Sequence, residues 1–142
     1  MTGAHIPPES FTLTQSTTHS GFAVTLHQGF ANVVLIYSLF MGLWGLPLWA
    51  RGRLPSGGYL GALILAEGVA TLQALIGLAL LVLGYRPHDA LHYLYGVLAV
   101  VTLPSAYAFG NRASERRDSL IFGLAGLFLV GIAIRAFGTG GT

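Results

Sequence analysis

Residues 21–50 read GFAVTLHQGFANVVLIYSLFMGLWGLPLWA, and no Asp, Glu, Lys or Arg occurs among them. A helix crosses the roughly 30 Å of bilayer hydrocarbon with about 20 predominantly apolar residues. Three more runs of this kind follow along the chain. The sequence therefore predicts an all-α polytopic membrane protein, an antiparallel bundle of four transmembrane helices. The expected spans lie near 22–50, 58–84, 89–109 and 118–138.

The composition of the whole chain also favours a membrane protein. Of its 142 residues, 8% are charged and 54% are hydrophobic. A soluble domain carries about a quarter charged residues, so an ordinary soluble enzyme and a disordered chain are both excluded. A net charge of +2 provides no basic stripe for nucleic acid. The absence of cysteine excludes disulfides, iron–sulfur clusters and covalently attached c-type heme.

The loops and tails indicate an orientation. Arginine supplies all the basic residues, and most of them fall in the first and third predicted loops, around 51–53 and 112–117. Loops rich in arginine stay on the cytoplasmic side. We therefore expect a prokaryotic inner-membrane protein with both termini outside. A polar N-terminal tail, 1–20, and a short C-terminal tail, 139–142, would flank the membrane domain at 21–138.

Each predicted helix carries a polar residue near the same, outer boundary of the bilayer. A rise of about 1.5 Å per residue places His27 and His92 at the outer ends of the first and third helices. The same rise places Gln73 in the outer half of the second helix and Arg135 near the outer end of the fourth. These four side chains are therefore expected at similar depth.

Small residues share helical faces with these polar side chains at spacings of three or four residues. Gly77 follows Gln73 by one turn, and Gly96 follows His92. Small residues in membranes allow close helix packing, or they leave room for a flat cofactor. Two imidazoles from different helices, nearby glycines and an arginine for the propionates are typical of a b-type heme site.

The sequence thus predicts His27 and His92 as the ligands of a heme iron, with Arg135 near a propionate. His88, just before the third run, is a candidate propionate contact or alternative ligand. His5 and His19 belong to the polar tail and are expected to be solvated. Glu67 lies near mid-membrane, where a carboxyl group is costly.

Two interpretations of Glu67 remain open. It is either a neutral structural carboxyl, hydrogen-bonded to a neighbour such as Ser38, or a group that transfers protons or contacts a quinone.

Three short motifs resemble the helix–loop–helix of heme A synthase. The stretch Leu72-Gln73-Ala74-Leu75-Ile76-Gly77 is similar to the L-Q-x-x-x-G helix that precedes an extracellular loop in that family. Ala90-Leu91-His92 is similar to the A-L-H start of the next helix, and Leu26-His27 resembles the preceding His-bearing helix. The resemblance covers roughly residues 24–105, and the chain would match one of the family's two four-helix halves.

This resemblance implies that His27 and His92 are heme ligands and that Gln73 and Gly77 line the pocket. The chain departs from the family at Val24, where a Glu shortly before the first His is expected, and it has no cysteine pair. The implied function is therefore that of a heme-binding half-module, a small b-type membrane cytochrome, rather than heme A synthesis.

Two main classes of function remain open. The first is a heme b protein for electron transfer, to or from quinol, or for heme handling in a respiratory or photosynthetic membrane. The second is a non-catalytic accessory subunit of a larger respiratory or photosynthetic complex, in which the histidines ligate a chlorin magnesium or nothing. A proton-coupled transporter built around Glu67 is less favoured, since no internal repeat is evident. Homo- and hetero-oligomers are both compatible with the sequence.

Overall fold

The computed structural model describes residues 8–110 and 113–141. These residues form four α-helices and no strand, and every helix contains a span long and apolar enough to cross a membrane. The helices are α1 Pro8–Ala50, α2 Gly57–Val82, α3 Leu91–Phe109 and α4 Arg116–Gly140. The predicted all-α bundle of four transmembrane helices is confirmed.

Two helices extend into the predicted tails. The apolar span of α1 begins at Gly21, but the helix itself begins at Pro8. A proline suits a first helical turn because the missing N–H has no partner there in any case. At the other end of the chain, α4 continues to Gly140. His5 lies outside the described residues.

The helices form a four-sided bundle. α1 packs against α2 and α4, α3 packs against the same two helices, and α1 and α3 lie diagonally opposite each other. Large apolar side chains cover the outside, as Ile64, Leu65 and Val82 show with exposed fractions of 73%, 64% and 80%. An outer surface of this kind is stable against lipid and not against water. The chain is therefore a multi-pass membrane protein.

Glycines on both helices make the contact between α1 and α4. A Cβ atom built on Gly126 would lie 2.8 Å from the backbone nitrogen of Gly42 and 3.0 Å from the carbonyl oxygen of Ser38. A Cβ atom on Gly45 would lie 2.8 Å from the Cα of Gly123. The two backbones therefore touch, as small residues permit in membrane helices.

The two ends of the bundle differ in chemistry. At one end, here called the arginine end, the residues that follow α1 lie against the start of α4. The Arg116 guanidinium donates to the carbonyl of Trp49 over 3.0 Å, and the Ser119 hydroxyl donates to the carbonyl of Arg53 over 3.0 Å. At the opposite end, here called the histidine end, the α2–α3 loop joins the end of α4 through the Asp89 amide and the Thr139 carbonyl, 3.0 Å apart.

Candidate cofactor site

His27 of α1 and His92 of α3 meet at the histidine end of the bundle. Their ring centroids are 6.0 Å apart, and their ring planes are inclined by 62°. α1 and α3 lie diagonally opposite each other, so the two side chains extend towards each other across the bundle. Both residues are half-buried. Two imidazoles from different helices thus share one site in an apolar surrounding.

The backbone of α4 orients His92. Its Nδ1 lies 3.1 Å from the carbonyl oxygen of Ala136, and the Thr139 hydroxyl oxygen lies 3.5 Å from the same nitrogen. A neutral imidazole that donates from Nδ1 to a carbonyl keeps its Nε2 lone pair available for a metal. Gly140 allows this approach, because a Cβ there would lie 3.1 Å from Cε1 of His92.

Sequence reasoning missed these three α4 residues. The available signal was depth, since Thr139 lies one turn beyond Arg135 and hence at the same end of the bundle as His92.

His27 is held by α2. The Gln73 side-chain nitrogen lies 3.4 Å from Nε2 of His27. This contact leaves two polar atoms, Nδ1 of His27 and Oε1 of Gln73, buried without a hydrogen-bond partner. Exchanging the positions of the Gln73 amide oxygen and nitrogen does not pair both atoms, because Nδ1 of His27 still has no hydrogen-bond partner. Unpaired buried polar atoms are costly, and they commonly mark a functional site.

Gly77 is required by the close approach of His27 to α2. A Cβ atom on Gly77 would lie 3.0 Å from Cε1 of His27. Gly77 therefore lies directly against the His27 ring. Gly96 differs, since a Cβ there would meet nothing within 4 Å. The space beside Gly96 is open.

Two other predicted site residues have exposed side chains. Arg135 is exposed, and its neighbour Ala136 contacts His92. His88 does not share the face of His92 on α3, because the helix begins at Leu91 and His88 lies in the preceding loop with an exposed side chain. The amide of His88 lies 3.4 Å from the Gly140 carbonyl.

Glu67 takes a local partner. The Thr71 hydroxyl, one turn further along α2, donates to Oε1 of Glu67 over 3.3 Å, and Oε2 is buried without a partner. The suggested bond to Ser38 is not formed. Ser38 instead lies where α1 packs against α4, with its carbonyl oxygen close to Gly126. Glu67 is thus separate from the contacts of the histidine pair.

The donor set limits which metal site is possible. No group of three or more His, Cys, Asp or Glu side chains suitable for a metal occurs in the described part of the chain. A metal bound by protein ligands alone, such as zinc, uses three or four of them.

No protein-family model, curated protein or solved structure matches this chain. The function is therefore inferred from the geometry of the site.

Proposed function

We propose that this protein binds one heme b between His27 and His92 in the outer half of the bundle. The spacing of the two rings carries the proposal. Imidazoles on opposite sides of one metal, each with a metal–nitrogen bond of about 2 Å, have ring centres about 6 Å apart. The observed separation of 6.0 Å agrees with this value.

The number of ligands supports a tetrapyrrole over a bare metal ion. A heme iron brings four equatorial nitrogens of its own, so two histidines complete its coordination. His92 has the hydrogen bond that fixes the tautomer needed for ligation through Nε2. Ligation through Nε2 of His27 replaces its contact with the Gln73 amide, which is free to reorient because its oxygen has no partner.

A bound heme b supplies one-electron chemistry. His27 and His92 would hold such a heme through neutral imidazoles among apolar helices, an environment that favours electron transfer without exchange of ligands. We therefore assign the protein to electron transfer or heme handling in a respiratory or photosynthetic membrane, with quinol as a possible redox partner. The arginine-rich loops favour an orientation in a prokaryotic inner membrane that places the histidine end and both termini outside.

One observation favours the second class, an accessory subunit. Gly61 and Gly68 are exposed on α2, and a Cβ at either would meet nothing within 4 Å. Their spacing of two turns places them on one outward face. Small residues on a lipid-facing surface suit packing against a helix of another subunit. In this alternative the histidine pair ligates a chlorin magnesium or no metal.

The absorption spectrum of the purified protein decides between these functions. We expect a protein expressed with an adequate heme supply to show the reduced-minus-oxidised bands of a low-spin b heme, at one heme per chain by pyridine hemochromogen assay. A chlorin spectrum would support the accessory subunit. A colourless protein that also fails to bind added hemin in detergent would rule out the heme proposal.

A substitution at Gly77 tests the His27 side of the site. We expect Gly77→Val to lower heme affinity about tenfold, as loss of an orienting neighbour does at metal sites. The physical reason is that even the Cβ atom would lie 3.0 Å from Cε1 of His27, so the ring must move. Hemin titration measures the change. Gly68→Val, on the same helix with open space around it, is the control, and an equal loss in both variants would contradict the assignment.

A further inference from the structure

An apolar groove runs between α3 and α4 at the arginine end of the bundle. Its volume is about 550 Å³. Its lining includes Ala106, Phe109, Arg117, Leu124 and Phe128. The groove lies far along both helices from the histidine pair, because His92 lies at the start of α3 and contacts Ala136 near the end of α4. It is therefore separate from the proposed heme site.

The groove opens outwards. Leu124 and Phe128 have exposed fractions of 52% and 55%, and Phe109 is 81% exposed. Ala106 is buried at the base of the groove, where its small side chain leaves room for a ligand. Because these residues belong to apolar spans of α3 and α4, the groove faces the hydrocarbon of the bilayer. Its walls are complementary to an acyl chain.

Arg117 adds a positive charge to this apolar surface. It is the second residue of α4, at the boundary of the span, and its side chain is exposed. The adjacent Arg116 is already engaged, since its guanidinium donates to the Trp49 carbonyl and lies 5.5 Å from the Trp49 ring centroid. The neighbouring Asp118 is fully buried, and its carboxylate accepts the Glu115 amide. The charge of Arg117 is thus available to a ligand in the groove.

We propose that this groove binds an anionic phospholipid, with an acyl chain between α3 and α4 and the phosphate at Arg117. A guanidinium binds phosphate through two parallel hydrogen bonds. Basic side chains at the end of a groove between transmembrane helices are typical of sites for anionic headgroups. The combination of an apolar groove and one charged end fits an amphipathic anion better than a second protein helix, which would leave the charge of Arg117 unpaired.

Native mass spectrometry of the full-length protein in detergent tests the proposal, with added phosphatidylglycerol or phosphatidylcholine as the probe. We expect preferential binding of phosphatidylglycerol. Arg117→Gln should lower that affinity roughly fivefold or more, the effect of about one basic residue near an anionic surface. Arg117→Lys should retain most of the binding. Leu124→Trp should reduce it with all charges intact, because the larger side chain fills the exposed groove.

Arg53→Gln is the matched control. Arg53 is exposed at the same end of the bundle and is absent from the residues that line the groove. An equal loss in the Arg53 and Arg117 variants would mean diffuse electrostatic attraction and would overturn the proposal. Unchanged lipid binding in Arg117→Gln would also overturn the proposal. A lipid-free dimer that Leu124→Trp dissociates would overturn it too. Inorganic phosphate at millimolar concentration should not compete, and full competition would point to a phosphate site without a lipid chain.

Discussion

Gly126→Val is expected to leave little folded protein, because it forces α1 and α4 apart. A Cβ atom at position 126 would lie 2.8 Å from the backbone nitrogen of Gly42 and 3.0 Å from the Ser38 carbonyl oxygen. Both neighbouring atoms belong to the backbone, so no side-chain rotation relieves the clash. The whole α1–α4 contact must therefore open, and α1 carries one of the two proposed heme ligands.

The size of this effect is measured most cleanly with alanine. We expect Gly126→Ala to lower the free energy of unfolding by about 1–3 kcal/mol, the usual range for added volume in a packed core, and valine to cost more. Gly131→Ala is the control on the same helix, since a Cβ there meets nothing within 4 Å. Unfolding in mixed detergent, followed by circular dichroism, compares the variants. Equal stability of the two alanine variants would contradict the close α1–α4 contact.

The number and placement of the helices could be predicted because hydropathy alone determines them. Apolar runs of about 20 residues cross a bilayer as helices, because a helix pairs every backbone polar group within the segment. The common thickness of the bilayer then sets the depth of each side chain. Similar depth was the basis for pairing His27 with His92, and the structure places their rings 6.0 Å apart.

The rotation of each helix was harder to predict. On α1, the face from His27 through Val34 and Met41 to Gly45 alternates steps of three and four residues, and its later members are buried. On α4, the residues from Gly123 through Leu127 and Gly131 to Arg135 follow one another in steps of four only. Each such step turns about 40° around the helix, so the face drifts from buried Gly123 to exposed Arg135. Ala136 contacts His92, and the preceding residue, Arg135, is exposed.

Local hydrogen bonds also could not be predicted from the sequence. Glu67 bonds to Thr71 on its own helix and not to Ser38 on α1, because a hydroxyl one turn away needs no interhelical alignment. His88 lies in a loop because α3 begins at Leu91, two residues after the expected start at 89. The Asp89 carboxylate accepts the Leu91 amide over 2.9 Å just before this start, which is the turn that an aspartate side chain forms with the amide two residues further on.

The largest expected effect on the proposed function comes from the two histidines. His27→Ala and His92→Ala should each abolish the low-spin spectrum of a bis-imidazole heme and lower heme affinity by at least about 100-fold, since each removes an iron ligand. The two variants should behave alike, although His27 contacts α2 and His92 contacts α4. If the two histidines served only in packing, the loss of stability in each variant would not be accompanied by a matching change in the spectrum.

Added imidazole separates ligation from folding. An imidazole molecule that enters the space left by His92→Ala should restore the low-spin spectrum, whereas a protein that fails to fold regains nothing. His92→Met should keep a six-coordinate heme and raise its reduction potential, because a thioether ligand favours the reduced iron. His5→Ala and His19→Ala, in the polar N-terminal segment, are the controls and should keep the original spectrum. A wild-type spectrum in either His27→Ala or His92→Ala would remove that residue from the ligand pair and, with it, the argument from the 6.0 Å ring spacing.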